Sequence, residues 1–160
     1  MINYRRANLK DIHGIKKLIE KNMDDIIPLS HGEIVPQIMP HFTDFQIQNY
    51  LEIDNGFFGV AEEDENNENH IIGFILCYAE EFLWSSQEEF KKAYIAHFHV
   101  DINYRKKGIA SQLLIEAEEW AKENEYNALY LDVFHNNVIA KEMYNKKGYK
   151  IIRELRRKIL

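Results

Sequence analysis

A single cysteine, Cys77, stands among the 160 residues, so no intramolecular disulfide and no cysteine-rich metal framework is built. It lies inside the apolar run Ile71 to Ala79, where a packed strand residue is expected in preference to a nucleophile. That run is too short to cross a bilayer, and the amino-terminal MINYRRANLKD has no apolar signal core, so no membrane partner and a cytoplasmic location are expected. Proline is also scarce. Pro28, Pro36 and Pro40 are the three in the chain, and they break any long helix in that region. Lysine and arginine are missing altogether from Asn22 to Phe90, where fifteen Asp and Glu leave a charge of −15. The other residues hold all 20 Lys and Arg against eleven acids, +9, which together make the net −6. Such asymmetry says what each part attracts: a polyanion for the basic remainder, a cation for the acidic segment. In the cluster Glu62 to Glu68, the carboxylates are read simply as solvating a turn.

A chain of 160 residues that is 46% hydrophobic buries a sizeable core, and 1–160 reads as a single domain without repeat, low-complexity tract or linker. Ile2 to Arg6 reads as a strand. Asn8 and Asp11 then form a capping-box-like pair before a helix with Ile12, Ile15, Leu18 and Ile19 on one stripe. The stretch DDIIPLSHGEIVPQIMPHF is apolar, acidic and irregular, the composition of a binding loop. Thr43 is placed to cap a second helix, Asp44 to Glu52. Phe57 to Glu62 and Ile71 to Ala79 read as a hairpin, Tyr94 to Val100 as a strand, Ala128 to Phe134 as another, and Asn137 to Lys147 as a short helix. A last strand is expected from Tyr149 to Ile159. The order βααβββαβαβ implies an α/β (α+β) fold, a mixed sheet flanked by helices.

The organising stretch is Tyr94 to Ala121. An apolar strand passes through a basic turn, Arg105-Lys106-Lys107-Gly108, into a helix whose face is Ile109, Leu113, Leu114, Ala117, Trp120 and Ala121. The free amides and positive dipole end of a helix start suit an anion, Gly108 lets backbone approach it, and the expected guest is a phosphate.

Arg105-Lys-Lys-Gly108-Ile-Ala110 resembles the Arg/Gln-x-x-Gly-x-Gly/Ala signature of the GNAT superfamily of N-acetyltransferases. Val133, Asn137, Ala140, Tyr144 and Gly148-Tyr149 are similar to that family's Val, Asn, Ala, Tyr and Gly-Phe. The resemblance spans nearly the whole chain, with its specific motifs between Val100 and Tyr149. It implies a GNAT-type, mostly antiparallel sheet whose central strands splay to admit acetyl-CoA, the co-substrate. It also implies cofactor binding by Phe98, His99, Val100, Arg105, Lys106, Lys107, Gly108, Ile109, Ala110, Ser111, Asn137, Ala140 and Tyr144. The loop amides would take the pyrophosphate, Val100 and its neighbours the pantetheine arm, and the phenol of Tyr144 would protonate the departing sulfur. From periodicity alone, Tyr144 is equally well a packing residue beside Met143. Ile102 and Lys106 depart from the family's usual proline and glycine, and the strand has Tyr94 and Ala96 where some relatives carry a carboxylate base.

Alternate residues of a strand share a face, so His97 and His99 point together, opposite Ala96, Phe98 and Val100. Three readings are open for them: hydrogen-bonded packing, proton relay, or metal binding with His135. No metal is expected, because two strand histidines without a carboxylate seldom make a site. His97 is the more substrate-ward, and is the second catalytic candidate. The reading of the whole is a direct N-acetyltransferase for a primary amine, either a cationic small molecule such as a polyamine or aminoglycoside, or a peptide N-terminus. Glu80, Glu81 and Trp84 point weakly to the cationic acceptor. The rival is a non-catalytic acyl-CoA-binding module of the same fold. Nucleic-acid binding through Arg153, Arg156, Arg157 and Lys158 is disfavoured by the negative net charge. Members of the family often form homodimers, and nothing in the sequence locates an interface.

Overall fold

The computed structural model describes residues 1–30, 43–65, 68–79 and 90–158. The segment with Pro36 and Pro40, together with Glu80, Glu81, Trp84 and Ile159, lies outside the described residues. Strand β1 (Ile2–Arg6) leads through a tight turn, Leu9–Asp11, into α1 (Ile12–Ile26). The Asn8 side chain accepts from the Lys10 amide, and Asp11 accepts from the Asn8 amide. The expected capping pair is therefore present, one turn ahead of the helix proper. Thr43 and Gln46 cap α2 (Asp44–Leu51) reciprocally. There follow β2 (Phe57–Glu65), β3 (Glu68–Ala79), β4 (Lys92–Val100), α3 (Ile109–Glu123), β5 (Ala128–Leu131) and α4 (Val138–Lys146).

The strands form one sheet in the order β1-β2-β3-β4-β5, antiparallel throughout except for the parallel pair β4 and β5. A parallel pair needs a crossover, and α3 supplies it. On one face α3 buries Ile109, Leu113, Leu114, Ala117, Trp120 and Ala121, the stripe read from the sequence, against Phe57, Ala61, Ile75, Cys77, Ala93 and Ile95. On the other face α1 and α2 bury Ile15, Leu18, Ile19 and Ile47 against Phe58, Val60, Phe74 and Leu76. Each Leu, Ile, Val or Phe side chain so removed from water contributes roughly 1.5–3 kcal/mol, an alanine methyl less.

The structure differs from the sequence reading at several points: β2 runs on to Glu65 and β3 starts at Glu68, and Glu62 is buried and bonded by Asn3 and Arg5 instead of solvating a turn. β5 ends at Leu131 instead of Phe134, because its partner strand leaves it there. Between Leu76↔His97 and Cys77↔Ile95 the register slips by one residue, so Ala96 is a bulge. Ala96 thereby packs on the same face as α1 and α2, not on the face of Phe98 and Val100. Finally, residues 149–158 form no strand. From Lys150 to Lys158 every side chain is exposed, because among the described residues no strand lies beside the segment.

Candidate active site

The site begins where two parallel strands part. β4 pairs with β5 from Lys92↔Ala128 to Ile95↔Leu131, then runs on to Val100 with no partner on that edge among the described residues. The Asp101 amide donates to the Ile72 carbonyl at 2.9 Å, which makes that a hydrogen-bonded pair across β3 and β4. Antiparallel pairs alternate, so Val100 opposite Gly73 and Phe98 opposite Ile75 turn their main-chain groups away from β3, toward the open edge. The Val100 carbonyl there accepts from Asn22 Nδ2 and Arg105 Nε, both at 3.3 Å.

Below Val100 the chain turns sharply. Asp101 accepts from the Asn103 amide at 2.9 Å and pairs with Lys21 Nζ at 2.7 Å. Lys106 at φ 61° and Gly108 at φ 82° both adopt the left-handed conformation. The first helical bond of α3 runs from the Gln112 amide to the Gly108 carbonyl at 3.0 Å. Among the described residues, none of the amides from Lys106 to Ser111 has an acceptor. A Cβ built on Gly108 meets no atom within 4 Å, so open space adjoins those amides. Six donors at a dipole's positive end, beside a space, form an anion cradle.

The three cations of the turn part company. Arg105 Nη2 pairs with Asp25 Oδ2 of α1 at 2.8 Å, and Lys107 Nζ lies 4.6 Å above the Tyr104 ring. Lys106 has no partner among the described residues. Arg105 therefore works as a clasp between the loop, Val100 and α1, and Lys106 carries a charge that no described residue pairs.

The Acetyltransferase (GNAT) family profile matches residues 23–149. The chain is 30% identical over 141 residues to an N-alpha-acetyltransferase of Sulfurisphaera tokodaii, covering 84% of this chain and 78% of that protein. The chain belongs to the GNAT family of acetyltransferases. A shorter match, 39% over 59 residues, is to GCN5-related N-acetyltransferase 6, chloroplastic, of Arabidopsis thaliana; it covers 37% of this chain and 20% of that protein's length. Among solved structures, the BH1408 protein from Bacillus halodurans superposes with a TM-score of 0.83 at 19% identity over 99% of both chains. AAC(6')-Iy in complex with a bisubstrate analogue superposes at 0.72, with 16% identity over 100% of this chain and 99% of that one. These two likenesses concern the fold.

The GNAT signature residues Arg105 to Ala110 form the turn just described. Asn137 caps α4, its Oδ1 accepting from the Ala140 amide at 3.1 Å, which leaves the amide nitrogen of its side chain for other work. Tyr144 is half-buried against the α3 face of the sheet, its ring 5.5 Å from that of Tyr149. Burial pushes the Tyr144 phenol up to about 12, so it keeps its proton at neutral pH. Cys77 lies opposite Ile95, the last β4 residue paired with β5.

His97 and His99 lie on the opposite face. His97 packs on Tyr50 with ring centroids 5.7 Å apart, and His99 stacks on Phe74 at 5.0 Å. Burial lowers His97 to about 4; burial, then His97, then Arg105 lower His99 to about 3. Both imidazoles are neutral at physiological pH. Among the described residues no three His, Cys, Asp or Glu side chains gather as a metal would require.

One group escaped the sequence reading. Asp132 follows β5 directly and accepts from the Tyr94 hydroxyl at 2.9 Å, on the face of the two histidines. Tyr94 in turn faces the Tyr78 ring at 6.1 Å. A carboxylate thus reaches the mouth of the gap from β5, although β4 carries none there. Only the parallel register Tyr94↔Tyr130 brings them together, and no spacing in the sequence signals it.

Proposed function

We propose that the chain is an acetyl-CoA-dependent N-acetyltransferase that transfers directly to a primary amine. The observation that carries this is the edge of β4 beyond Ile95, open among the described residues and ending in a loop whose amides find no acceptor among them. The fit to a pyrophosphate-bearing cofactor rests on the same features: donors without partners among the described residues, the space beside Gly108, and the charge of Lys106, which none of those residues pairs. Bound acetyl-CoA supplies the thioester carbonyl to be attacked and the sulfur to be expelled.

The residues divide the remaining work by face. The edge amides of Phe98 and Val100 hold the pantetheine arm as an added strand would, and one of them donates to the carbonyl oxygen as it gains charge. Tyr144, on the α3 face, keeps the proton that the sulfur needs. On the other face, His97 in its neutral form accepts a hydrogen bond from the attacking nitrogen and relays its proton outward. Asp132 and Tyr94 flank the same mouth and attract a cationic acceptor before it loses its proton. The acid and the proton acceptor lie on opposite sides of the sheet, so the amine approaches from the α1 and α2 side and the sulfur leaves toward α4.

The N-alpha-acetyltransferase relative points to a peptide N-terminus as acceptor, and the fold relatives include aminoglycoside acetyltransferases. The charge of −15 between Asn22 and Phe90 favours the cationic small molecule. Thiol release with acetyl-CoA and a panel of polyamines, aminoglycosides and short peptides tests both. Turnover is expected with a polycation, with KM rising as salt is added. Tight cofactor binding without turnover on any amine overturns the reading and supports an acyl-CoA-binding module.

A further inference from the structure

We infer that Asn22 is a positioning residue for the cofactor: from α1 it takes the place of a β5 amide at the Val100 carbonyl, and so sets how far along β4 the pantetheine arm bonds. This rests on the acetyl-CoA reading above and adds to that site a residue which neither the signature nor the strand pattern marks.

Asn22 stands where α1 calls for an apolar side chain. Ile15, Leu18 and Ile19 form the buried stripe of this helix, and Asn22 continues it one turn on. It is 1% exposed, its Nδ2 lies 3.3 Å from the Val100 carbonyl oxygen, and its Oδ1 is buried with no partner among the described residues. Val100 fixes that orientation, because the amide turned the other way would set two oxygens face to face. One long hydrogen bond does not offset a buried acceptor left without a donor. Leu at this position would stabilise the fold at least as well, so stability alone gives no reason for an amide here.

The reason lies at the end of β4. The peptide between Val100 and Asp101 is held on one side by β3, where the Asp101 amide donates to the Ile72 carbonyl at 2.9 Å. On its other side the Val100 carbonyl faces the edge along which β5 no longer pairs. Asn22 supplies there the donor that a neighbouring strand would supply. Arg105 Nε reaches the same oxygen at 3.3 Å, but it belongs to the loop that needs fixing, and its guanidinium also serves Asp25. Asn22 belongs to a helix packed on the sheet, and its neighbour Lys21 pairs with Asp101 at 2.7 Å. Helix α1 thus anchors β4 where β5 does not. With that carbonyl taken, the edge open among the described residues offers a guest the Phe98 and Val100 amides and the Phe98 carbonyl. A strand-like arm stops there, and the anion cradle takes over from Lys106.

Calorimetric titration with acetyl-CoA and with ADP, beside thermal unfolding, tests this on the parent, Asn22→Leu and Asn22→Ala. ADP carries the pyrophosphate and no pantetheine arm, so it reads the cradle alone. Asn22→Leu is expected to melt no lower than the parent, since Val100 keeps Arg105, and Asn22→Ala to melt lower because it leaves a cavity. Both bind acetyl-CoA about tenfold more weakly, the loss of one positioned hydrogen bond, and both bind ADP within about twofold of the parent. Should Asn22→Leu not fold, the contrast between the two ligands in Asn22→Ala decides by itself. Unchanged acetyl-CoA affinity in either folded variant overturns the inference, as does an equal loss for both ligands, which makes Asn22 a packing residue. A parent that binds no acetyl-CoA overturns the function proposed above and this inference with it, whereas the other two results overturn this inference alone.

Discussion

Tyr144 illustrates how a residue's place can set its chemistry. A phenol half-sunk against the sheet holds its proton more firmly than one in water. Replacing Tyr144 by Phe removes the hydroxyl and keeps the ring packed on Tyr149. Turnover is expected to fall by about 10²-fold, the usual contribution of a positioned general acid, while acetyl-CoA affinity changes little. Steady-state kinetics with calorimetric titration of the cofactor check this, and unchanged turnover removes Tyr144 from its assigned role. His97 and His99 are the converse case. Their neighbours Tyr50 and Phe74 favour the uncharged ring, so neither titrates near neutral pH in the folded protein.

Two elements owe their behaviour to one residue each. The loop into α3 depends on Gly108, whose left-handed backbone costs an L-residue about 1–2 kcal/mol. Gly108→Ala meets no steric clash, so thermal unfolding should show only that modest loss. The new methyl group projects where the cradle opens, and the KM for acetyl-CoA should rise by clearly more than the stability change predicts. At the other end of the fold, Arg5 joins β1 to the turn before α1 and to β2. It bonds both oxygens of Asp11, at 2.7 and 2.8 Å, and also Glu62. Asp11 and Glu62 are 5% and 6% exposed, so Arg5→Ala strands two buried carboxylates and is expected to cost about 3 kcal/mol in urea unfolding. Replacing Glu62 by Gln in the same background should restore part of that loss, which separates charge from packing.

For the molecule as a whole, stability should follow pH in two stages. The histidines take up protons in the unfolded chain near pH 6.5 but in the folded chain only near 4 and 3. Their contribution is therefore complete above about pH 6.5 and is lost as the pH falls toward 4. Glu62 is held below the usual carboxylate range by Arg5, and Asp11 likewise, because its bonds to Arg5 and the Asn8 amide outweigh the opposing effect of burial. Their share survives the first stage and disappears only below the ordinary carboxylate range. A melting-temperature profile should show both stages, and His99→Asn should shrink the first alone, His97 keeping its share. A profile flat from pH 7 to 5 contradicts the neutral, buried histidines. The sequence by itself determined the repeating patterns: the α3 stripe from Ile109 to Ala121, the caps at Asn8, Thr43 and Gly108, and the signature from Arg105 to Ala110. These are legible because a helix period, a capping bond or a left-handed turn is decided by residues a few positions apart. Tertiary structure alone decided the separation of β4 from β5, the bulge at Ala96, the meeting of Asp132 with Tyr94, the pairing of Arg105 with Asp25, and the exposed tail. Each of these joins segments distant in the chain, or depends on a strand partner, and neither composition nor spacing carries that register.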